Sequence, residues 1–455
     1  MEKVTKGLMN KLIKAFKLES GRALLSLVGG GGKTTTMFTL AKILASSGKS
    51  VLITTTTAII LPHPDQYDCL EINEASKPDF GAPWSIAVIG NSVNFQGKMM
   101  GMRPEWVDKI YMEQKFDCIL VEADGSKQKP IKAPDDHEPV IPSLTTHLVG
   151  IIGLDAVGKP ATEETVHRME RFCHITMLMP KQTIDALAVS RLILSDKGLF
   201  KGAPGTASKY LVLNKAENAD DFCKARAVTR RVQPQGYGGL RCLSASMQNG
   251  NIWTDLFSEV TGVIMASGFS RRMNSQKLLL ELNGMPIIEY VIRESLKSRL
   301  KEVLVVYRED SIKAIAANYP VKLIHNPDAV IGQSESLKLG VLNSHKSAKG
   351  VMFMVGDQPF MTYRVIDGMI EKFEADPQKI VITSYQGERG NPVLFPCRLK
   401  GALHLITGDK GGKEIIKHNE DLVAEYFIED KKAGFDVDTW EDYEKAKKTA
   451  QGQES

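Results

Sequence analysis

Short apolar runs in this chain stop abruptly at glycines or acids, and the one that ends in Gly29-Gly30-Gly31-Gly32-Lys33-Thr34 restricts the fold most. Ala23–Val28 is apolar except for Ser26, as expected of a strand buried on both faces. The four glycines break it, and the spacing beyond them predicts a helix reaching about Leu44, followed by a second strand at Val51–Thr54. That alternation belongs to a parallel sheet with crossover helices. The pattern recurs at Cys118–Val121, which runs into Glu122-Ala123-Asp124-Gly125-Ser126, at His147–Ile152, and at Tyr210–Leu213, which runs into Asn214-Lys215-Ala216-Glu217. Residues 61–112 give a mixed signal.

Periodicity fades across Ser244–Glu259, and a fresh series begins at Thr261. Strands are expected at Glu302–Tyr307, Val321–Ile324, Val351–Val355, Ile380–Thr383 and Val423–Ile428, with a closing helix from Thr439. At 455 residues the chain exceeds one ordinary core of roughly 150 residues. We therefore expect an α/β protein with two domains in series: a P-loop-like parallel-sheet domain over 1–255 and a Rossmann-like domain over 256–455.

Composition bounds the partners. Hydrophobic content of 43% and charged content of 25% describe a globular protein, and a net charge of +4 permits phosphate-bearing small ligands. Lys and Arg are interspersed with Asp and Glu, which argues against nucleic acid. No apolar run approaches the roughly 20 residues of a membrane span. Leu8, Leu12, Ile13 and Phe16 recur at helical spacing, but Lys11, Lys14 and Lys17 interrupt them, so a packing helix is expected rather than a secretory signal. Cys69, Cys118, Cys173, Cys223, Cys242 and Cys397 are scattered without a Cys-x-x-Cys pair, which suits reduced thiols in a cytoplasmic protein.

Two stretches carry chemistry. The first is Gly262–Leu278, G-V-I-M-A-S-G-F-S-R-R-M-N-S-Q-K-L, a buried strand opening into a loop. Ala266, Ser267, Gly268 and Ser270 would offer backbone and hydroxyl donors to a nucleoside triphosphate, and Arg272 and Lys277 the positive charge. The second is the glycine loop, where Gly29, Gly30, Gly31, Gly32 and Lys33 would bind phosphate at a helix start and the Thr34 hydroxyl would ligate magnesium. Leu27 stands where the usual phosphate loop has its first glycine, so this loop is shorter than the common form. Asp124 fits a second acidic group holding magnesium or orienting water, ahead of a plain surface turn. Asn214 and Lys215 are similar to the base-reading Asn-Lys of GTP-binding proteins, with Glu217 in place of Asp, or they end a strand as ordinary polar residues. The second nucleotide would be ATP or GTP.

The strings V-G-G-G-G-K-T-T, V-E-A-D-G-S-K, G-L-D-A-V-G-K-P and Val166-His167-Arg168 resemble the accessory proteins of selenium-dependent molybdenum hydroxylases, over most of residues 20 to 250. The resemblance implies nucleotide binding in support of hydroxylase maturation, with the apo-hydroxylase as partner. His137 and His167 are candidate ligands for such work or hydrogen-bonded structural residues.

Residues 261 to 445 resemble the molybdenum cofactor nucleotidyltransferases, most closely the cytidylyltransferases. G-V-I-M-A-S-G-F-S-R-R-M-x-x-x-K-L-L, G-Q-S-E-S-L-K-L-G, V-G-D-Q-P-F, G-N-P-V-L-F, G-D-K-G-G-K and D-V-D-T-W-E-D-Y occur in the family's order. The resemblance implies CTP and molybdopterin as substrates. Magnesium needs hard oxygen ligands, and Asp357 and Asp438, both at expected strand ends, are the candidates. Asp438 is also read as part of a capped helix start. Ser334 and Ser336 would line the nucleotide or cap a helix. Gly390, Asn391, Pro392 and the stretch Gly408–Gly412, with Gly411, would face the cofactor or form plain turns. Ser267, Asn274 and Trp440 depart from the family pattern. The implied activity is CTP:molybdopterin cytidylyl transfer. Its rivals are a guanylyl, sugar or polyol nucleotidyltransferase and a non-catalytic cofactor carrier.

Overall fold

A computed structural model describes residues 11–73, 85–233, 239–249, 251–254, 256–270, 272–273, 275–408 and 412–452. The chain divides into two compact units, Met1–Leu256 and Phe257–Ser455. Among the described residues no helix is long and apolar enough to cross a membrane.

The first unit is built on β1 (Ala23–Gly29), β2 (Val51–Thr55), β3 (Cys69–Ile72), β4 (Ile86–Gly90), β5 (Cys118–Glu122), β6 (His147–Gly153), β7 (Ser208–Asn214), β8 (Arg241–Ser246) and β9 (Asn251–Trp253). Their order across the sheet is β9-β8-β7-β6-β1-β5-β2-β4-β3, and all pairs are parallel except β8 with β9. β1 thus lies at the centre, with its side chains buried on both faces. One face packs Leu25 and Leu27 with Leu40 and Leu44 of the helix Lys33–Ser46, and with Leu12, Ile13 and Phe16 from the first expected helix. The other face packs Leu24, Leu52, Ile119 and Val121. Each such side chain removed from water stabilises the unit by roughly 1.5–3 kcal/mol.

The second unit contains β10 (Val260–Ala266), β11 (Glu302–Tyr307), β12 (Lys322–His325), β13 (Gly350–Val355), β14 (Ile380–Tyr385), β15 (Glu388–Pro396) and β16 (Val423–Ile428). Their order is β12-β11-β10-β13-β15-β14-β16, and β15 alone runs antiparallel to its neighbours. Ile264, Val305 and Met354 face one core, and Val263, Leu304 and Phe353 the other.

Three expectations change. The stretch Ser244–Glu259 is not structureless at its start, because Arg241–Ser246 and Asn251–Trp253 extend the first sheet. Its small polar residues hid the period that a longer strand displays. Residues 61–112 hold β3, β4 and the helix Pro104–Met112, while 74–84 lie outside the described residues. Gly390, Asn391 and Pro392 do not form a plain turn but sit within β15, where the pairing register with β14 shifts between Ile382 and Thr383. A proline is tolerated there because the shift needs no ladder N–H from it.

Candidate functional site

Both units gather polar residues at the C-terminal ends of their parallel strands, where an open α/β sheet leaves room for a ligand. In the first unit, β1 feeds the glycine loop, β5 feeds Glu122-Ala123-Asp124, and β7 ends at Asn214. Gly31 has φ +80° and a Cβ there would lie 2.2 Å from Gly153 N, so this position admits only glycine.

The loop is tied down. Gly29 N–H donates to Asp124 Oδ2 (3.0 Å), Gly30 N–H to Ile151 O (2.9 Å) and Gly31 N–H to Lys129 O (2.9 Å). What remains for an anion is the start of the helix at Lys33, which no side chain caps. Lys33 Nζ donates to Gly29 O (2.7 Å) and pairs with Asp124 (3.3 Å) and Glu122 (3.6 Å). Burial works against its charge, but the two carboxylates outweigh burial and hold its pKa above the ordinary lysine value. Burial pushes the Glu122 carboxyl up.

Asp124, expected to hold magnesium or orient water, is a buried counter-ion in this state. Lys132 Nζ lies 3.0 Å from its Oδ2, and Lys132 also reaches Glu138 (2.7 Å), which Arg168 clasps in turn (2.6 Å). Thr34 Oγ1 donates to Glu122 Oε2 (2.7 Å), so Glu122 is the carboxylate beside the expected hydroxyl ligand. Asn214 does not present its amide outward. Its Nδ2 donates to Gly31 O (2.8 Å), and its Oδ1 accepts from Met247 N–H (3.0 Å). Lys215 pairs with Asp155 (2.8 Å). Burial, reinforced by Arg168, lowers the His167 pKa to about 4 and keeps it neutral near pH 7.

In the second unit Ser267 follows β10, Asn326 follows β12 and Asp357 follows β13. Gly356 N–H donates to Met265 O (3.2 Å), which draws the ends of β10 and β13 together. Lys277 Nζ lies 2.5 Å from Asp357 Oδ2 and 2.7 Å from Asp438 Oδ1, and Arg272 reaches Asp438 Oδ2 (2.8 Å). Burial opposes the Lys277 charge, yet Asp357 and Asp438 overcome it and raise its pKa. The hydrogen bond from Lys277 holds the Asp438 carboxyl below its usual range. Asp438 is not the helix cap: Thr439 accepts from Asp442 N–H (3.2 Å), and the Asp442 carboxylate accepts back from Thr439 N–H (2.9 Å).

Two cavities meet here. A cleft of about 450 Å³ is lined by Ser267, Gly268, Ser270, Arg272, Lys277, Ser336 and Asp357, and a larger cavity of about 1110 Å³ by Gly390, Asn391, Tyr385 and Asp436. Asp438, Met265 and Gln333 border both. Ala266 is buried at the strand end; Pro392 lies in β15 beside Asn391; Gly411 and Asn274 lie outside the described residues.

Sequence reasoning left out four residues. Glu122 and Asp436 each stand two positions before an assigned aspartate, a proximity in sequence that could have flagged them. The cleft walls, with the charges of Asp357 and Asp438, push the Asp436 pKa up to about 6. Asn326, in His-Asn-Pro after a strand, had a weak signal. Lys132 had none, because only the fold brings it to Asp124.

A divalent cation suits this donor set. Asp357 Oδ1 is buried without a hydrogen-bond partner, and the facing oxygens of Asp357 and Asp438 already share one cation, the Lys277 ammonium. Among the described residues no three His, Cys, Asp or Glu side chains are grouped to hold a metal, so the remaining ligands would come from substrate phosphate and water.

A cleft at a strand switch point, with paired cations facing paired carboxylates and a second cavity adjoining, defines a nucleotidyltransferase. The chain belongs to the MobA-like NTP transferase family, whose domain model matches residues 262–423, and the YqeC protein family model matches residues 25–170. The uncharacterized protein YqeC of Escherichia coli K12 is 34% identical over 139 residues, 30% of this chain and 53% of that protein, so the chain spans about half that relative's length. The purine catabolism protein PucB of Bacillus subtilis is 30% identical over 195 residues, 40% of this chain and 93% of that protein. The molybdenum cofactor guanylyltransferase of Vibrio atlanticus is 30% identical over 175 residues, 37% of this chain and 84% of that protein.

Proposed function

We propose that the second unit transfers CMP from CTP to molybdopterin, giving the cytosine dinucleotide cofactor and pyrophosphate. The observation that carries the transfer is the Arg272–Lys277–Asp357–Asp438 cluster at the junction of the two cavities. A triphosphate in the smaller cleft and a phosphate-bearing acceptor in the larger would meet at Asp438. The cytidylyl assignment rests on the motif resemblance, above all Gly356-Asp357-Gln358-Pro359.

Joining two polyanions makes charge neutralisation the main obstacle. An oxygen of the acceptor's phosphate attacks the α-phosphorus of CTP; that P–O bond forms as the bond to the β-phosphate oxygen breaks, and pyrophosphate carries the electron pair away. Arg272 grips phosphate through its planar fork and Lys277 as a point charge. Asp357 and Asp438 would hold magnesium, which supplies further positive charge to the phosphates when bound. Gly390 and Asn391 line the acceptor side, with Asn391 O accepting from Tyr385 Oη (2.6 Å).

We also propose that the first unit binds ATP or GTP at the helix start, with Lys33 moving from its carboxylates to the phosphates and Thr34 and Glu122 beside the magnesium. Its role would be maturation of a molybdenum hydroxylase, as its family resemblance implies. Incubation with molybdopterin and an equimolar mixture of CTP and GTP, followed by mass analysis of the dinucleotide, tests the main claim. Cytosine dinucleotide is expected; preferential guanine dinucleotide would make this a guanylyltransferase. Phosphate release that disappears in Lys33→Ala would support turnover in the first unit.

A further inference from the structure

Ser267 and Ser336 line the smaller cleft and are joined by Asn326, which is fully buried. Asn326 N–H donates to Tyr307 O at the end of β11 (2.7 Å), fixing its backbone. Its Oδ1 accepts from Asp328 N–H (3.2 Å). A backbone N–H can only donate, so this contact identifies the oxygen end of the amide and turns Nδ2 toward the serines. Nδ2 lies 3.2 Å from Ser267 Oγ and 3.2 Å from Ser336 Oγ, and the two hydroxyls are 2.6 Å apart.

The hydrogens can be counted. The two amide hydrogens go to the two hydroxyl oxygens, and one hydroxyl hydrogen joins the serines to each other. One hydroxyl hydrogen and one oxygen lone pair remain, and both serines line the cleft. The trio is uncharged, unlike the Arg272–Lys277 end of the same cleft, so it suits a neutral polar edge rather than phosphate.

We propose that Asn326 orients base recognition: by donating to both serines, and accepting from neither, it leaves one of their O–H groups free to donate to an acceptor on the base edge. The inference rests on the CTP reading, in which that acceptor is on the pyrimidine edge. Asn326 is a positioning residue, because it acts through Ser267 and Ser336.

Titration of CTP and of pyrophosphate into the full chain tests it, since pyrophosphate reports on the phosphate end alone. In Asn326→Asp a carboxylate would accept from both serines and leave lone pairs facing the cleft. CTP affinity should fall by about tenfold or more while pyrophosphate affinity stays within about twofold. The double replacement Ser267→Ala with Ser336→Ala buries no charge and should give the same selective loss. Unchanged CTP binding in both variants, or equal loss of CTP and pyrophosphate, overturns the proposal. Should wild type take GTP instead of CTP, the cytidylyl reading fails alone; the same titrations with GTP then decide on Asn326, because guanine also presents acceptors.

Discussion

Each unit sets one lysine between two carboxylates at the end of a central strand, yet the two arrangements differ in depth. Lys33 and Asp124 are each 2% exposed, whereas Lys277 is 13% and Asp438 44% exposed. In the first unit the acid also holds the loop, through Gly29 N–H, and a second buried lysine, Lys132, supports it. In the second unit the acids border open cavities and leave Asp357 Oδ1 unpartnered. Burial therefore sets how readily the same charge pattern is exchanged: the enclosed ion pair also clamps its own loop, whereas the open one would give way to substrate and metal at lower cost.

The largest effect expected is on chemistry in the open site. Asp357→Asn should lower pyrophosphate release from CTP and molybdopterin by about 10²–10³-fold in steady-state assays; activity within a few fold of wild type would remove Asp357 from the site. Stability should show the reverse bias. Lys33→Met leaves the buried Glu122 carboxylate without its cation and Asp124 with Lys132 alone, and should cost about 3–5 kcal/mol in urea unfolding, against no more than about 1 kcal/mol for Lys277→Met. Equal costs would break the comparison.

Metal binding sharpens it further. Because the Lys277 ammonium bridges Asp357 and Asp438, Lys277→Met should tighten nucleotide-free Mn²⁺ binding by about tenfold, read by the paramagnetic signal of free Mn²⁺. No change would mean that the ammonium does not compete with a cation there.

The smallest effect is in pH dependence, and the units should differ in sign. Burial opposes the Glu138 charge, but Arg168 and Lys132 overcome it and lower its pKa to about 2, so its contribution is present above the ordinary Glu range and is lost as pH falls through about 2. Asp436, raised to about 6, contributes fully below the ordinary Asp range and loses that contribution as pH rises through about 6. Thermal melts should show Asp436→Asn gaining on wild type between pH 4 and pH 7, and Glu138→Gln losing most near pH 7 (roughly, from those pKa values). A gap that does not vary with pH would contradict both assignments.

Much of the fold was legible because strands buried on both faces carry near-continuous apolar runs, as at Ala23–Val28, Cys118–Val121 and Val303–Tyr307. Arg241–Ser246 and Glu388–Pro396 escaped, since small polar residues and a glycine-proline pair erase the period that would reveal a strand. The site followed the same division. Asp357 was readable from a strand-to-loop transition, and Arg272 and Lys277 from the cationic loop after Val260–Ala266. Asp438, expected at a strand end, instead follows the helical turn Lys431–Gly434, and Lys132 and Asn326 meet partners that lie on other elements.

The amino-acid order alone determined the α/β class, the two series of strands, and the glycine-rich and cationic loops that follow Ala23–Val28 and Val260–Ala266. Tertiary structure alone decided that Asp124 locks its loop, that Asn214 turns its amide inward, and that Asp438 faces Lys277 while Thr439 caps the helix. The reason is one of range. Strand and turn preferences act between near neighbours in the chain, but the charge state and orientation of a side chain depend on burial and on partners that only folding brings within hydrogen-bond reach.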